Sequence, residues 1–159
     1  MFHIGDKIVY PMHGAGVIED IEKKEILGEV KDYYILKMPL GDLKISIPLD
    51  KIGDMGIRSV VSNDEVNTVK EIISEDKGKM PKNWNRRYKE NLEKLRSGDI
   101  YEISSVFRDL YILDRDKGLS MMEKKLLNTS KKMLVSEVAI VDDTSPTETE
   151  KNLISLINK

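Results

Sequence analysis

The chain has 159 residues, 40% of them hydrophobic and 34% charged, with a formal net charge of −2; that is the composition of one globular domain or two small ones, not of a disordered chain. It contains no cysteine, which excludes disulfides and thiol chemistry and suits a reducing cytoplasm, and its two histidines, His3 and His13, are too few for an ordinary zinc site. No run approaches the roughly 18 apolar residues of a membrane span, and the opening MFHIGDKIVYP lacks the order of a signal peptide, so neither metal, cofactor nor membrane is expected.

Up to about residue 58 the pattern predicts short strands. DKIVYP is dense in β-branched and aromatic residues and is stopped by Pro11; HGAG reads as a turn in which Gly14 and Gly16 take positive φ. VIEDIEKKEI resumes the strand, ILGEVKD turns at Gly28, YYILKM is a third strand and PLGDL a further turn. In LKISIP, Leu43, Ile45 and Ile47 alternate with Lys44 and Ser46, which predicts one buried and one wet face. Four or five such strands in under 60 residues predict a small, twisted antiparallel barrel. A unit of that size buries only about 60% of its unfolded surface and needs a neighbour.

From residue 62 onward the signals are helical. Ser62 with Glu65 and Ser120 with Glu123 have capping-box spacing, Asp99 with Glu102 is similar, and Ser145 is followed by Pro146 and Glu148. Gly98 and Gly118 sit where helices stop. These marks predict helices over 63–75, 84–97, 100–116, 121–141 and 146–158. The fold class is α+β: an antiparallel β-barrel over 1–58, then an all-helical domain of about five helices over 59–159, with a linker near 76–82.

Charge is distributed unevenly. Residues 1–76 carry a balance of −6, residues 77–135 of +7 and residues 136–159 of −3. A basic middle segment either meets an anion or is a set of solvated helix faces. Within it, PKNWNRRYKENLEKL holds the single tryptophan. Trp84, Tyr88, Leu92 and Leu95 fall on one helical stripe, while Arg86, Arg87 and Lys89 leave it near the same helix end. Trp84 is thus either the top of a core stripe or a rim residue. At the rim its ring could stack on bases or wedge a base step, beside cations that hold phosphates without reading sequence.

Enzymatic motifs are weak. HGAG lacks phosphate-loop spacing and lies between strands, and no serine or carboxylate is paired with a histidine in a triad-like way. Met121, Met122 and Met133 read as core filling. Lys124, Lys125, Lys131 and Lys132 recur seven apart on one helix face, as a solvated face or as a DNA surface.

The segments KIVYPMHGAGVIEDIE, YYILKM, NWNRRYKENLEKLRSGD, VFRDLYILDRDKGLSMMEKKLL and KMLVSEVA, in this order from about residue 2 to 141, resemble the CarD/CdnL family of bacterial transcription regulators. The resemblance implies a non-enzymatic protein whose Tudor-like (SH3-like) barrel docks on the RNA polymerase β subunit. It implies that the helical domain reaches promoter DNA at the upstream edge of the bubble and stabilises the open complex. Trp84 matches the family's minor-groove wedge, Arg86, Arg87 and Lys89 its basic neighbours on the phosphate backbone, and Lys124 a further DNA-facing lysine. For the polymerase, Lys24 matches one basic position, while Ser46 stands where another is often basic; Lys44, Ile45 and Ser46 lie in the strand that would pair with the partner. The family's barrel also occurs in the transcription-repair coupling factor, but no helicase motor follows here. A cytoplasmic, nucleoid-associated protein, monomeric in its functional complex, is implied.

The competing reading is a free-standing DNA- or RNA-binding protein whose barrel is a second nucleic-acid site. The −6 balance of the first segment disfavours it, since an acidic surface suits protein better than phosphate.

Overall fold

A computed structural model describes residues 1–41 and 43–159. Strands β1 (Lys7–Tyr10), β2 (Gly14–Ile26), β3 (Glu29–Lys37), β4 (Lys44–Pro48) and β5 (Arg58–Ser59) precede helices α1 (Asn63–Ser74), α2 (Trp84–Arg96), α3 (Ile100–Asp116), α4 (Met121–Asp142) and α5 (Pro146–Ile157). The strands form one antiparallel sheet in the order β4-β3-β2-β1-β5. It folds about its own apolar cluster of Ile8, Ile18, Tyr34, Leu36, Met38 and Ile47. The α+β reading holds, with a small antiparallel β unit followed by five helices.

Turn chemistry explains the register. Leu27 (φ 52°) and Gly28 (φ 81°) form a two-residue turn between the paired Ile26 and Glu29, the left-handed pair that matches strand twist. The first turn departs from expectation. It lies at residues 11–13, closed by the His13 amide donating to the Tyr10 carbonyl (2.9 Å), and its left-handed residue is Met12 (φ 68°). Gly14 has the expected positive φ (111°), but Gly16 does not. Gly16 is needed for space: a Cβ there would stand 2.7 Å from the Lys37 carbonyl oxygen and 2.8 Å from the Leu36 side chain. In PLGDL the Met38 amide donates to the Leu43 carbonyl (3.0 Å), while Asp42 lies outside the described residues.

Helix ends obey the caps. Ser62 and Glu65 complete a reciprocal capping box, Asp99 accepts from the amides of Tyr101 and Glu102, and Ser145 accepts from Glu148 ahead of Pro146. Ser120 accepts from the Glu123 amide and donates its hydroxyl to the Glu123 carboxylate (3.1 Å); that carboxylate has a further partner, as shown below. A second apolar core, including Val69, Leu95, Phe107, Leu110 and Leu134, fills the helical bundle.

The sheet docks directly on α4. The Ala15 amide donates to Ser136 Oγ (2.8 Å), and the backbone approach there leaves no room for a side chain at Gly14, whose Cβ would be 2.5 Å from that oxygen. Arg58 donates to both carboxylate oxygens of buried Glu137 (2.7 and 2.9 Å) and to the Gly98 carbonyl (3.0 Å), and the Val61 amide closes on Glu137 Oε2 (2.9 Å). The small β unit is thus anchored to the bundle by directional bonds, which hold the orientation of one relative to the other.

Candidate nucleic-acid and partner interface

The α2 N-terminus is built by Asn83, whose side chain accepts from the Arg86 amide (3.1 Å). This cap puts Trp84 in the first turn. The stripe that starts there runs from outside to inside: Leu95 is fully buried, Leu92 and Tyr88 are half-buried against the bundle core, and Trp84 is 42% exposed. Of the two roles open to it, the tryptophan takes the rim. Arg86 is exposed and makes only a 3.6 Å surface contact with Glu90; Lys89 is exposed as well.

Arg87 is not displayed as a free cation, and this corrects its grouping with Arg86 and Lys89. Its Nε and Nη2 donate to the two oxygens of Glu123 on α4 (2.6 and 2.8 Å), and its Nη1 donates to the carbonyls of Pro81 (3.3 Å) and Lys82 (3.2 Å). The Glu123 side chain is 1% exposed and that of Arg87 13%. Burial alone would push the Glu123 carboxyl upward, but hydrogen bonds from Arg87 and Ser120 outweigh it and hold the group below its ordinary range. The same carboxylate raises Arg87 further above the ordinary guanidinium value. One buried, two-point ion pair therefore clasps the linker and the starts of α2 and α4 together.

That clasp brings exposed Lys124, the residue after Glu123, to the end of the bundle that carries Trp84. It also exposes what the sequence pattern concealed. Met121 and Met122 are 77% and 47% exposed at the start of α4, so only Met133 fills the core as expected. Glu123 escaped notice because its spacing from Ser120 was that of an ordinary cap; no local signal reports a partner 36 residues away.

In the β unit, β4 is an edge strand, its inner side paired with β3 (Ile45↔Leu36, Ser46↔Ile35). Its outer edge is the kind of backbone row that accepts a further strand. Lys24 Nζ donates to Ser46 Oγ (2.7 Å), and Lys44 Nζ lies 2.9 Å from Glu19. With Asp20 and Glu22 these groups line a shallow depression over Ile35. Of the four residues singled out for a protein partner, Lys24, Lys44 and Ser46 are thus gathered on one face of the sheet, on a surface of mixed charge, while Ile45 between them packs against the β-unit core from the other face.

Among the described residues no group of three His, Asp or Glu side chains could hold a metal ion, and no helix is long and apolar enough to cross a membrane. A small sheet with an edge strand is thus bolted to a helical bundle that presents an aromatic and cations. Residues 2–61 match the CarD-like/TRCF RID domain and residues 68–154 the CarD C-terminal domain, and the chain belongs to the CarD family of transcription factors, which is not a family of enzymes. It is 39% identical over 141 residues to the Bacillus subtilis (strain 168) protein named "Putative transcription factor YdeB", covering 89% of this chain and 92% of that protein. The β unit is accordingly Tudor-like, and the protein is a transcription regulator.

Proposed function

We propose that the protein acts by holding RNA polymerase with its Tudor-like unit while its helical domain touches promoter DNA at the upstream edge of the bubble and prolongs the open complex. Residues 1–58 are the polymerase-binding part and 59–159 the DNA-contacting part. The β4 edge, with Ile45 at its centre and Lys24, Lys44 and Ser46 beside it, takes the polymerase β subunit by strand addition. Since Lys24 bonds Ser46, the charge on this surface is already directed along β4. Trp84 wedges into the minor groove, and Arg86, Lys89 and Lys124 hold phosphates; Arg87 acts by positioning the tryptophan's helix.

One observation carries this reading: the largest apolar side chain in the protein stands 42% exposed on a capped helix start, among exposed cations. The protein would work as a cytoplasmic, nucleoid-associated monomer within its complex. Binding of full-length Lys24→Glu and Ile45→Pro variants to purified polymerase is the test: both are expected to bind less than the parent chain. Undiminished binding by both would contradict the β4 assignment. Loss of duplex DNA binding by the same variants would favour the β unit as a second nucleic-acid site.

A further inference from the structure

A basic groove beside the Arg87–Glu123 clasp has no role in the surfaces assigned so far. It is an open groove of about 820 Å³ lined by Lys77, Lys79 and Lys82 of the linker, Lys117 of the α3–α4 turn and Arg87 of α2. No acidic residue lines it, and the four lysines are exposed and make no ion pair with any described residue. Asp116 lies within electrostatic reach of Lys77 and Lys117, but its carboxylate is bonded to Arg115 (2.9 Å).

The linker that carries three of these lysines is irregular yet tethered at both ends. At Gly78 its amide donates to Asp109 Oδ1 (3.0 Å), a carboxylate held in turn by buried Arg108 (3.0 Å), which also donates to the Ile72 carbonyl (2.8 Å). At residues 81 and 82 its carbonyls accept from Arg87. Buried charged groups are costly and are here arranged to fix a segment that has no regular structure of its own. The lysines are therefore displayed on a set course, not on a loose tether.

We propose that this groove is a second phosphate-binding track, through which a DNA strand continues past Trp84. The proposal rests on the DNA-contact reading of the helical domain and extends it. Two features favour a nucleic-acid backbone over a small anion or an acidic protein. The volume would hold more than twenty waters at about 30 Å³ each, far more than one phosphate displaces, whereas a DNA strand presents a charge every 3.4 Å or so along its axis. The groove also lies near the wedge in sequence: Arg87, one of its lining residues, follows Trp84 by three residues, less than one helical turn.

The test uses the full chain and a short mixed-sequence duplex with an internal mismatched bubble, with affinity measured across a salt series. The combined Lys77→Gln, Lys79→Gln, Lys82→Gln and Lys117→Gln variant is expected to flatten the log–log salt slope by about 2 to 3.5, at roughly 0.9 for each phosphate no longer neutralised. Its melting temperature should hold, since no ion pair is removed; if it falls, single Lys79→Gln and Lys117→Gln variants should each flatten the slope by about 0.9. An unchanged slope in the groove variants, with a flattened one in Arg86→Gln/Lys124→Gln, would overturn the track and leave the DNA reading intact. No binding of the duplex by the parent chain would sink the DNA reading and the track with it. Weakened capture of DNA-free polymerase with an unchanged slope would make the groove a protein dock and overturn the proposal.

Discussion

Replacing Arg87 by alanine should unfasten the end of the bundle that carries Trp84. The change removes two donors, at 2.6 and 2.8 Å, from a carboxylate whose side chain is 1% exposed, leaving Glu123 to the Ser120 cap, whose hydroxyl stands at 3.1 Å. Breaking a buried pair from one side costs about 3–5 kcal/mol. An independent bound agrees: Glu123 can escape by taking a proton, and neutralising a carboxyl of ordinary pKa 4.5 at pH 7 costs about 3.4 kcal/mol at 1.36 per unit. For a chain of this size a loss of about 3–5 kcal/mol lowers the melting temperature by roughly 6–20 °C. Arg86→Ala is the matched control, because its side chain is 75% exposed and its contact with Glu90 is 3.6 Å; a surface change of that sort stays within about 0.5 kcal/mol. Arg87→Met combined with Glu123→Met should recover much of the loss, as apolar replacements of buried pairs do. Thermal melting of the four proteins decides the matter. If Arg87→Ala melted within about 2 °C of Arg86→Ala, the clasp would not be holding the bundle end.

Acid should act through the same pair. The Glu123 carboxyl is depressed in the folded state, so the stability it contributes is fully present above its ordinary value of 4.5 and is lost as pH falls through the folded-state value. Acid titration of stability should therefore fall more steeply below pH 4.5 in the parent chain than in the double-methionine variant, and equal slopes would refute this. Gly14→Ala should cost at least the 1–3 kcal/mol or so of a strained left-handed residue, because φ is 111° and the added carbon would stand 2.5 Å from Ser136 Oγ. Denaturant unfolding measures it; a change under about 0.5 kcal/mol would mean that the sheet does not press on α4 as described.

The helices were legible because their ends are local. Ser62, Asn83, Asp99, Ser120 and Ser145 each accept from an amide two or three residues on, so each start could be read from a few adjacent letters. The same local chemistry misled at Glu123, whose cap spacing concealed its bond to Arg87, and at Met121 and Met122, which an apolar reading sent into the core. Those outcomes depend on which face of α4 meets α2 and β2, and helical periodicity does not carry that information. The first turn was half legible for a related reason: of the two glycines expected to take positive φ, Gly14 does so, but Gly16 was needed for packing, and Met12 takes the left-handed conformation in the turn itself. Trp84 could be placed on its stripe from spacing, but whether the stripe began inside or outside the core required the neighbouring helices.

Open-complex lifetime with purified polymerase, measured for Trp84→Ala beside the parent chain and normalised to folded protein, tests the central claim most directly. A rim wedge predicts a shortened lifetime, undiminished polymerase binding and a stability loss below the 3–5 kcal/mol or so of a buried aromatic. A large fall in melting temperature with an unchanged lifetime per folded molecule would contradict it.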